Sequence, residues 1–210
     1  MTDDLRLSQL VCSRLCHDLV GAAGAVNAGL EILAEMGGLD ESAMALATNS
    51  GLEMTRRLSF FRVAFGAGGA GKTGAEVTVM RKIAGEYLES GNVDLDWADL
   101  GDGVRALQPD LGKLLLNLIL IASECLPRGG TVSVKLAEVQ GGVGLAVAAI
   151  GAGAGLREDV AQALTPGEAA ENLDSRNIHG LLTQLLVLAA GCELEIAADE
   201  GEVRFAALAI

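Results

Sequence analysis

Apolar residues recur every three or four positions from the start of the chain: Leu5, Cys12, Leu15, Leu19, Ala22, Val26, Leu30 and Leu33, with Ser8 as the one polar break. That spacing marks one helix face and predicts a long amphipathic helix over residues 4–35. Gly37-Gly38 follows as a stop signal. A second helix is predicted over residues 40–65, with Leu46, Leu52, Leu58, Phe61 and Phe65 among its apolar positions. The connection is short, which implies an antiparallel hairpin. Two helices alone cannot bury both of their faces, so a homodimer is expected, with two hairpins forming a four-helix bundle.

Residues 66–74 are Gly-rich and without apolar period, and read as a linker. After it the texture changes. Short β-like runs are predicted at 77–79, 93–97, 131–136, 144–150, 192–197 and 203–208, and helices at 80–90, 108–125, 157–164 and 177–190. Strands mixed with helices predict an α/β sandwich. The expected fold class is thus α + α/β: a hairpin at 1–66, a linker at 67–75 and the sandwich at 76–210.

Half of the chain is apolar but only 3% is aromatic, so the core must be built from Leu, Ala, Val and Ile. The net charge of −13 argues against nucleic acid as a partner, because DNA and RNA binders need a positive footprint. It argues equally against anionic membrane surfaces. The acidic start does not resemble a signal peptide, and no apolar run approaches the ~20 residues of a membrane span. A cytoplasmic protein is expected. The four cysteines, Cys12, Cys16, Cys125 and Cys192, suggest no disulfide framework. Zinc would need about four ligands, and the second histidine, His179, is remote from Cys12, Cys16 and His17. The cysteines are therefore expected to be buried reduced thiols, and no metal site is expected.

His17 is the first chemical candidate. It lies two residues from both Leu15 and Leu19, which turns it away from the apolar stripe and toward solvent. A neutral imidazole is a competent nucleophile near pH 7. The adjacent Asp18 could orient the ring or take up its proton.

The run Arg14-Leu15-Cys16-His17-Asp18-Leu19-Val20-Gly21 resembles the phospho-acceptor box of two-component histidine kinases. More closely, LCHDLVGAAGAVNAG at 15–29 and RLSFFRVAFG at 57–66 are similar to the ChpT-type histidine phosphotransferases of alphaproteobacteria. Ala22 departs from that pattern, replacing a proline, which should remove a helix bend rather than the chemistry. The second domain resembles the kinase ATP-binding domain, but with its nucleotide-binding residues replaced. In LLLNLILIASECLPRGGTVSV, Asn117 matches the leading asparagine, but Ile121 replaces the magnesium-binding one. In VAAIGAGAGL, Gly151 replaces the adenine-reading aspartate. In NIHGLLTQLLVLAAGCELEI, Asn177 and His179 replace phosphate-approaching glycines.

The resemblance implies a phosphorelay phosphotransferase with no intrinsic cofactor. His17 would be the phospho-acceptor and Asp18 the orienting group or base. Partners would be receiver domains of a hybrid kinase and of response regulators, with magnesium supplied by the receiver. Arg14 could contact phosphate or a receiver carboxylate, and Gly21 and Gly24 would let a receiver approach closely. His179 is expected to be structural or on the surface. An active sensor kinase fails on Ile121 and Gly151 together, and a module that only sequesters receivers would not need His17. A separate reading comes from GAGGAGKT at 66–73, which satisfies the P-loop pattern and would make Lys72 a nucleotide ligand. A helix, not a strand, is predicted before it.

Overall fold

A computed structural model describes residues 3–38, 40–66, 75–89, 91–97, 103–139, 141–167 and 173–209. The hairpin consists of α1 (Asp3–Glu35) and α2 (Glu41–Ala64). Gly37 and Gly38 take positive φ values of 73° and 93° and end α1. Asp40 caps α2, its carboxylate accepting from the Ala43 amide at 2.7 Å. The helices approach closely at Gly29, where an added Cβ would meet the Ala43 carbonyl oxygen at 2.8 Å and the Ala47 nitrogen at 2.9 Å.

The second half contains β1 (Ala75–Glu76), α3 (Val77–Leu88), β2 (Val93–Asp96), β3 (Ala106–Leu107), α4 (Pro109–Glu124), β4 (Gly130–Val139), β5 (Gly142–Ile150), α5 (Glu158–Leu164), α6 (Ile178–Ala189), β6 (Cys192–Asp199) and β7 (Glu202–Ala209). Five strands form one sheet in the order β2-β4-β5-β7-β6, with β2 parallel to β4 and the other pairs antiparallel. β1 and β3 form a separate antiparallel pair of two residues each. From Leu114 to Ala122 every residue of α4 is buried, which makes it the central helix. Its apolar surface meets Val132, Val134, Val147 and Phe205 of the sheet in one continuous core. That core also takes in Phe60, Phe61, Val63 and Ala64 of α2, and Phe60 stacks on Tyr87 with centroids 4.2 Å apart.

One expectation fails here. Val77-Thr78-Val79 is not a strand but the first turn of α3, where tertiary packing of Val77 and Met80 overrides the β preference of branched residues. The apolar stripe of α1 is divided, in keeping with the limit on what two helices can bury. Ala22 and Leu33 are buried, whereas Leu5, Cys12 and Leu30 are exposed, as are Leu46, Leu52 and Leu58 on α2. One chain therefore covers only part of the hairpin's apolar surface.

Replacing Gly29 by alanine should force the helices apart, costing roughly 1–3 kcal/mol. Urea unfolding followed by circular dichroism would show a lower midpoint than wild type, and an unchanged midpoint would count against the close helix contact.

Candidate functional site

His17 projects from the outward face of α1, its side chain 74% exposed. Its Nδ1 lies 3.2 Å from Oδ1 of Asp18. Asp18 is itself largely covered, and its other oxygen, Oδ2, accepts a 2.6 Å bond from Nε of Arg14, one turn earlier. Arg57 of α2, paired with Glu53 at 2.7 Å, donates to the backbone carbonyl of Asp18 at 3.2 Å. The exposed imidazole thus stands on a carboxylate that the fold holds in place.

Arg14 departs from the expected surface contact: it is buried. Nη2 bonds Oε1 of Glu124, at the end of α4. Nη1 donates to the carbonyl of Arg176 at 3.3 Å and lies 3.2 Å from Nδ1 of His179. A guanidinium can only donate, so Nδ1 of His179 must accept and the ring proton belongs on Nε2. That nitrogen is 3.0 Å from Oε2 of Glu124. His179 is fully buried and fills a structural position, as expected. Burial works against the charge of Arg14, but Glu124 and Asp18 outweigh it and hold the guanidinium more firmly protonated than usual. Burial likewise pushes Glu124 up, yet the contacts with His179 and Arg14 prevail and its carboxyl lies below the ordinary range.

Glu124 escaped the sequence reading. Its signal was its position: an acid in the last turn of a buried helix opposes the helix dipole and calls for a cationic partner. Gly21 and Gly24 lie along α1 on the exposed side near His17, and a Cβ at either would meet nothing within 4 Å. Packing within the chain does not require glycine there. Cys125 and Cys192 are buried as expected, and burial pushes the Cys125 thiol up to about 12. Cys12 and Cys16 are exposed instead: Cys12 falls on the part of the α1 stripe that stays uncovered, and Cys16 lies outside the stripe. Among the described residues, no cluster of His, Cys, Asp and Glu is arranged to hold a metal ion. None of the described helices is long and apolar enough to cross a membrane.

The family described as histidine phosphotransferase C-terminal domain matches residues 78–202. The chain belongs to this family. It is 33% identical over 204 residues to the protein phosphotransferase ChpT of Brucella abortus (strain 2308), covering 97% of this chain and 95% of the relative. It also superposes on a bacterial phosphotransferase of known structure with a TM-score of 0.86 and 32% identity, covering 99% and 98% of the two chains. The match runs through hairpin and sandwich alike.

The sandwich half of this phosphotransferase does not fit a nucleotide and its magnesium. Ile121 is a buried aliphatic side chain, unable to bind a hard cation. At Gly151 an added Cβ would stand 2.6 Å from the Gly129 carbonyl oxygen, so an aspartate cannot be seated there as the backbone stands. At Gly180 a Cβ would come within 2.9 Å of Cβ of Ala163, because α5 lies directly on α6. The space left among Ile121, Glu124, Cys125, Leu156, Arg157 and Val160 is about 10 Å³, room for one water at most. Asn117 has become a strut, its amide donating to the Ala64 carbonyl at 3.0 Å and the Lys113 carbonyl at 2.9 Å. Residues 67–73 of the P-loop-like stretch, Lys72 included, lie outside the described residues. What precedes them is helix α2 rather than the strand a P-loop requires.

The lowered carboxyl of Glu124 has a definite pH consequence. A group depressed by folding contributes stability that is present above its ordinary value of 4.5 and is lost as pH falls through the lower folded value. Thermal melts should therefore hold steady near neutrality and drop below pH 4.5. Glu124→Gln should melt lower at neutral pH and show a shallower acid drop, and equal acid drops in the two proteins would contradict this assignment.

Proposed function

We propose that this histidine phosphotransferase relays a phosphoryl group between receiver aspartates through His17. The observation that carries the reading is an exposed imidazole whose Nδ1 faces a fixed carboxylate at 3.2 Å. With the proton on Nδ1 shared with Asp18, the Nε2 lone pair is free to attack the phosphorus of a receiver aspartyl phosphate. The N–P bond forms as the acyl O–P bond breaks, and the receiver carboxylate leaves. Attack by a second receiver's aspartate reverses these bond changes and restores the neutral ring. Positioning and charge neutralisation supply most of the catalysis in such transfers. Magnesium comes with the receiver's acidic pocket. Gly21 and Gly24 keep the face beside His17 low, so that the receiver can bring its aspartate within reach. The setting is the cytoplasm, where receivers of a hybrid kinase and of response regulators are found.

The acting unit is a homodimer. The exposed Leu5 and Cys12 and the half-buried Leu19 recur at heptad spacing on α1, and the exposed Leu30 lies on the same side. Met44 and Leu58 continue this exposed patch on α2. A second hairpin laid across it would complete a four-helix bundle and leave His17 facing outward. Light scattering should give twice the mass of the chain for wild type. Leu30→Arg combined with Leu58→Asp should give a monomer, and a monomeric wild type would refute this assembly.

The deciding assay mixes several radiolabelled phospho-receivers with the protein in magnesium and without ATP. Label should pass to wild type, be labile to acid and stable to base, and be absent from His17→Ala. Binding or hydrolysis of ATP that depends on Lys72, with no transfer from any receiver, would refute the relay.

A further inference from the structure

The carboxylate of Asp18 has two oxygens, and only one is available to His17. Oδ2 takes the Nε proton of Arg14 at 2.6 Å, and Oδ1 faces His17 at 3.2 Å. A guanidinium free to choose would do something else. Its preferred grip on a carboxylate is bidentate, with two parallel N–H bonds to the two oxygens. The side-on version uses Nε together with Nη2, which would draw both Asp18 oxygens to Arg14 and leave the imidazole alone. In this fold Nη2 is already occupied by Oε1 of Glu124. Nη1 is committed as well, to the Arg176 carbonyl and toward Nδ1 of His179. The second oxygen of Glu124 lies 3.0 Å from Nε2 of His179, a close polar contact without hydrogen-bond alignment. Arg57 does not compete, since its contact is to the main chain of Asp18 and its charge is paired with Glu53.

We propose that Glu124 is a positioning residue for His17: by occupying Nη2 of Arg14 it keeps Oδ1 of Asp18 for the imidazole and so fixes which ring nitrogen carries the proton. This builds on the relay function above and adds to it a role for the sandwich half of the chain, separate from any part in binding a receiver. His179 supports Glu124 from behind. The consequence is that a residue on α4, touching neither phosphate nor receiver, sets the rate at which His17 accepts the phosphoryl group.

Rapid-quench transfer from a saturating phosphorylated receiver to the full-length protein tests this in wild type, Glu124→Ala, Asp18→Asn and the double variant. Glu124→Ala should lower the maximal rate about tenfold, with the half-saturating receiver concentration unchanged. In the Asp18→Asn background the same substitution should have no further effect, because the group through which it acts is already gone. Additive losses, or a loss confined to half-saturation, would overturn the proposal. If Glu124→Ala does not fold, Glu124→Gln replaces it. Its oxygen still serves Arg14 while its amide meets Nε2–H of His179 donor to donor, so a smaller loss is expected that again vanishes beside Asp18→Asn.

A second readout needs no turnover. In ¹⁵N-edited NMR the ring of wild-type His17 should carry its proton on Nδ1, and removing the Glu124 carboxylate should shift it toward Nε2. A wild-type ring already divided between the two forms would refute the proposal even if transfer were fast. A fixed Nδ1–H ring in a protein that accepts label from no receiver would refute the relay and leave the positioning role standing.

Discussion

The buried guanidinium of Arg14 is the interaction on which the arrangement of the two halves depends. Removing a cation from water costs several kcal/mol unless it is paired and fully hydrogen-bonded. Arg14 meets that demand only because three parts of the chain converge on it. The hairpin supplies Asp18, α4 supplies Glu124, and the segment entering α6 supplies the Arg176 carbonyl and Nδ1 of His179. None of these groups can move far without leaving a charge or a donor unsatisfied. The side chain that holds the carboxylate beneath the exposed histidine thus also ties the hairpin to the sandwich.

The sandwich half combines an apolar core with a few polar contacts to the hairpin. The central helix α4 is buried from Leu114 to Ala122 and packs against Val132, Val134, Val147 and Phe205 of β4, β5 and β7. Asn117, buried in that helix, now bonds the carbonyl that ends α2, and Glu124 at its far end reaches α1. One helix thus braces both members of the hairpin. Hydrophobic burial supplies the stability and a few polar contacts supply the register.

Much of this was legible in the sequence, and the failures have physical causes. The period of three and four along residues 4–35 placed α1 within one residue of its observed start, because a long amphipathic pattern constrains the phase of a helix strongly. It also turned His17 outward correctly. Sequence spacing could not reveal which part of the apolar stripe α2 leaves uncovered, so the exposure of Cys12 was not legible, and Cys16 lies off the stripe altogether. The short pairing of β1 with β3 has too few residues to carry a pattern. Arg14 was misread because burial of a charge depends on partners distant in the chain: Glu124 and His179 follow it by 110 and 165 positions. What Ile121 and Gly151 cannot coordinate, by contrast, is visible from their identities alone, since neither side chain carries a donor atom.

The turn around Gly151 limits what the chain could be changed into. Its backbone is tied to the Gly201 carbonyl at 3.0 Å, and the Gly129 carbonyl occupies the space a side chain would need. A side chain at this position would damage packing before it could reach any ligand. The Gly129–Gly130 turn would have to retreat first, and that turn is tied to the sheet it starts. A binding group therefore cannot be added here by one substitution: the tightness of the backbone makes every single change at Gly151 costly before it can be useful.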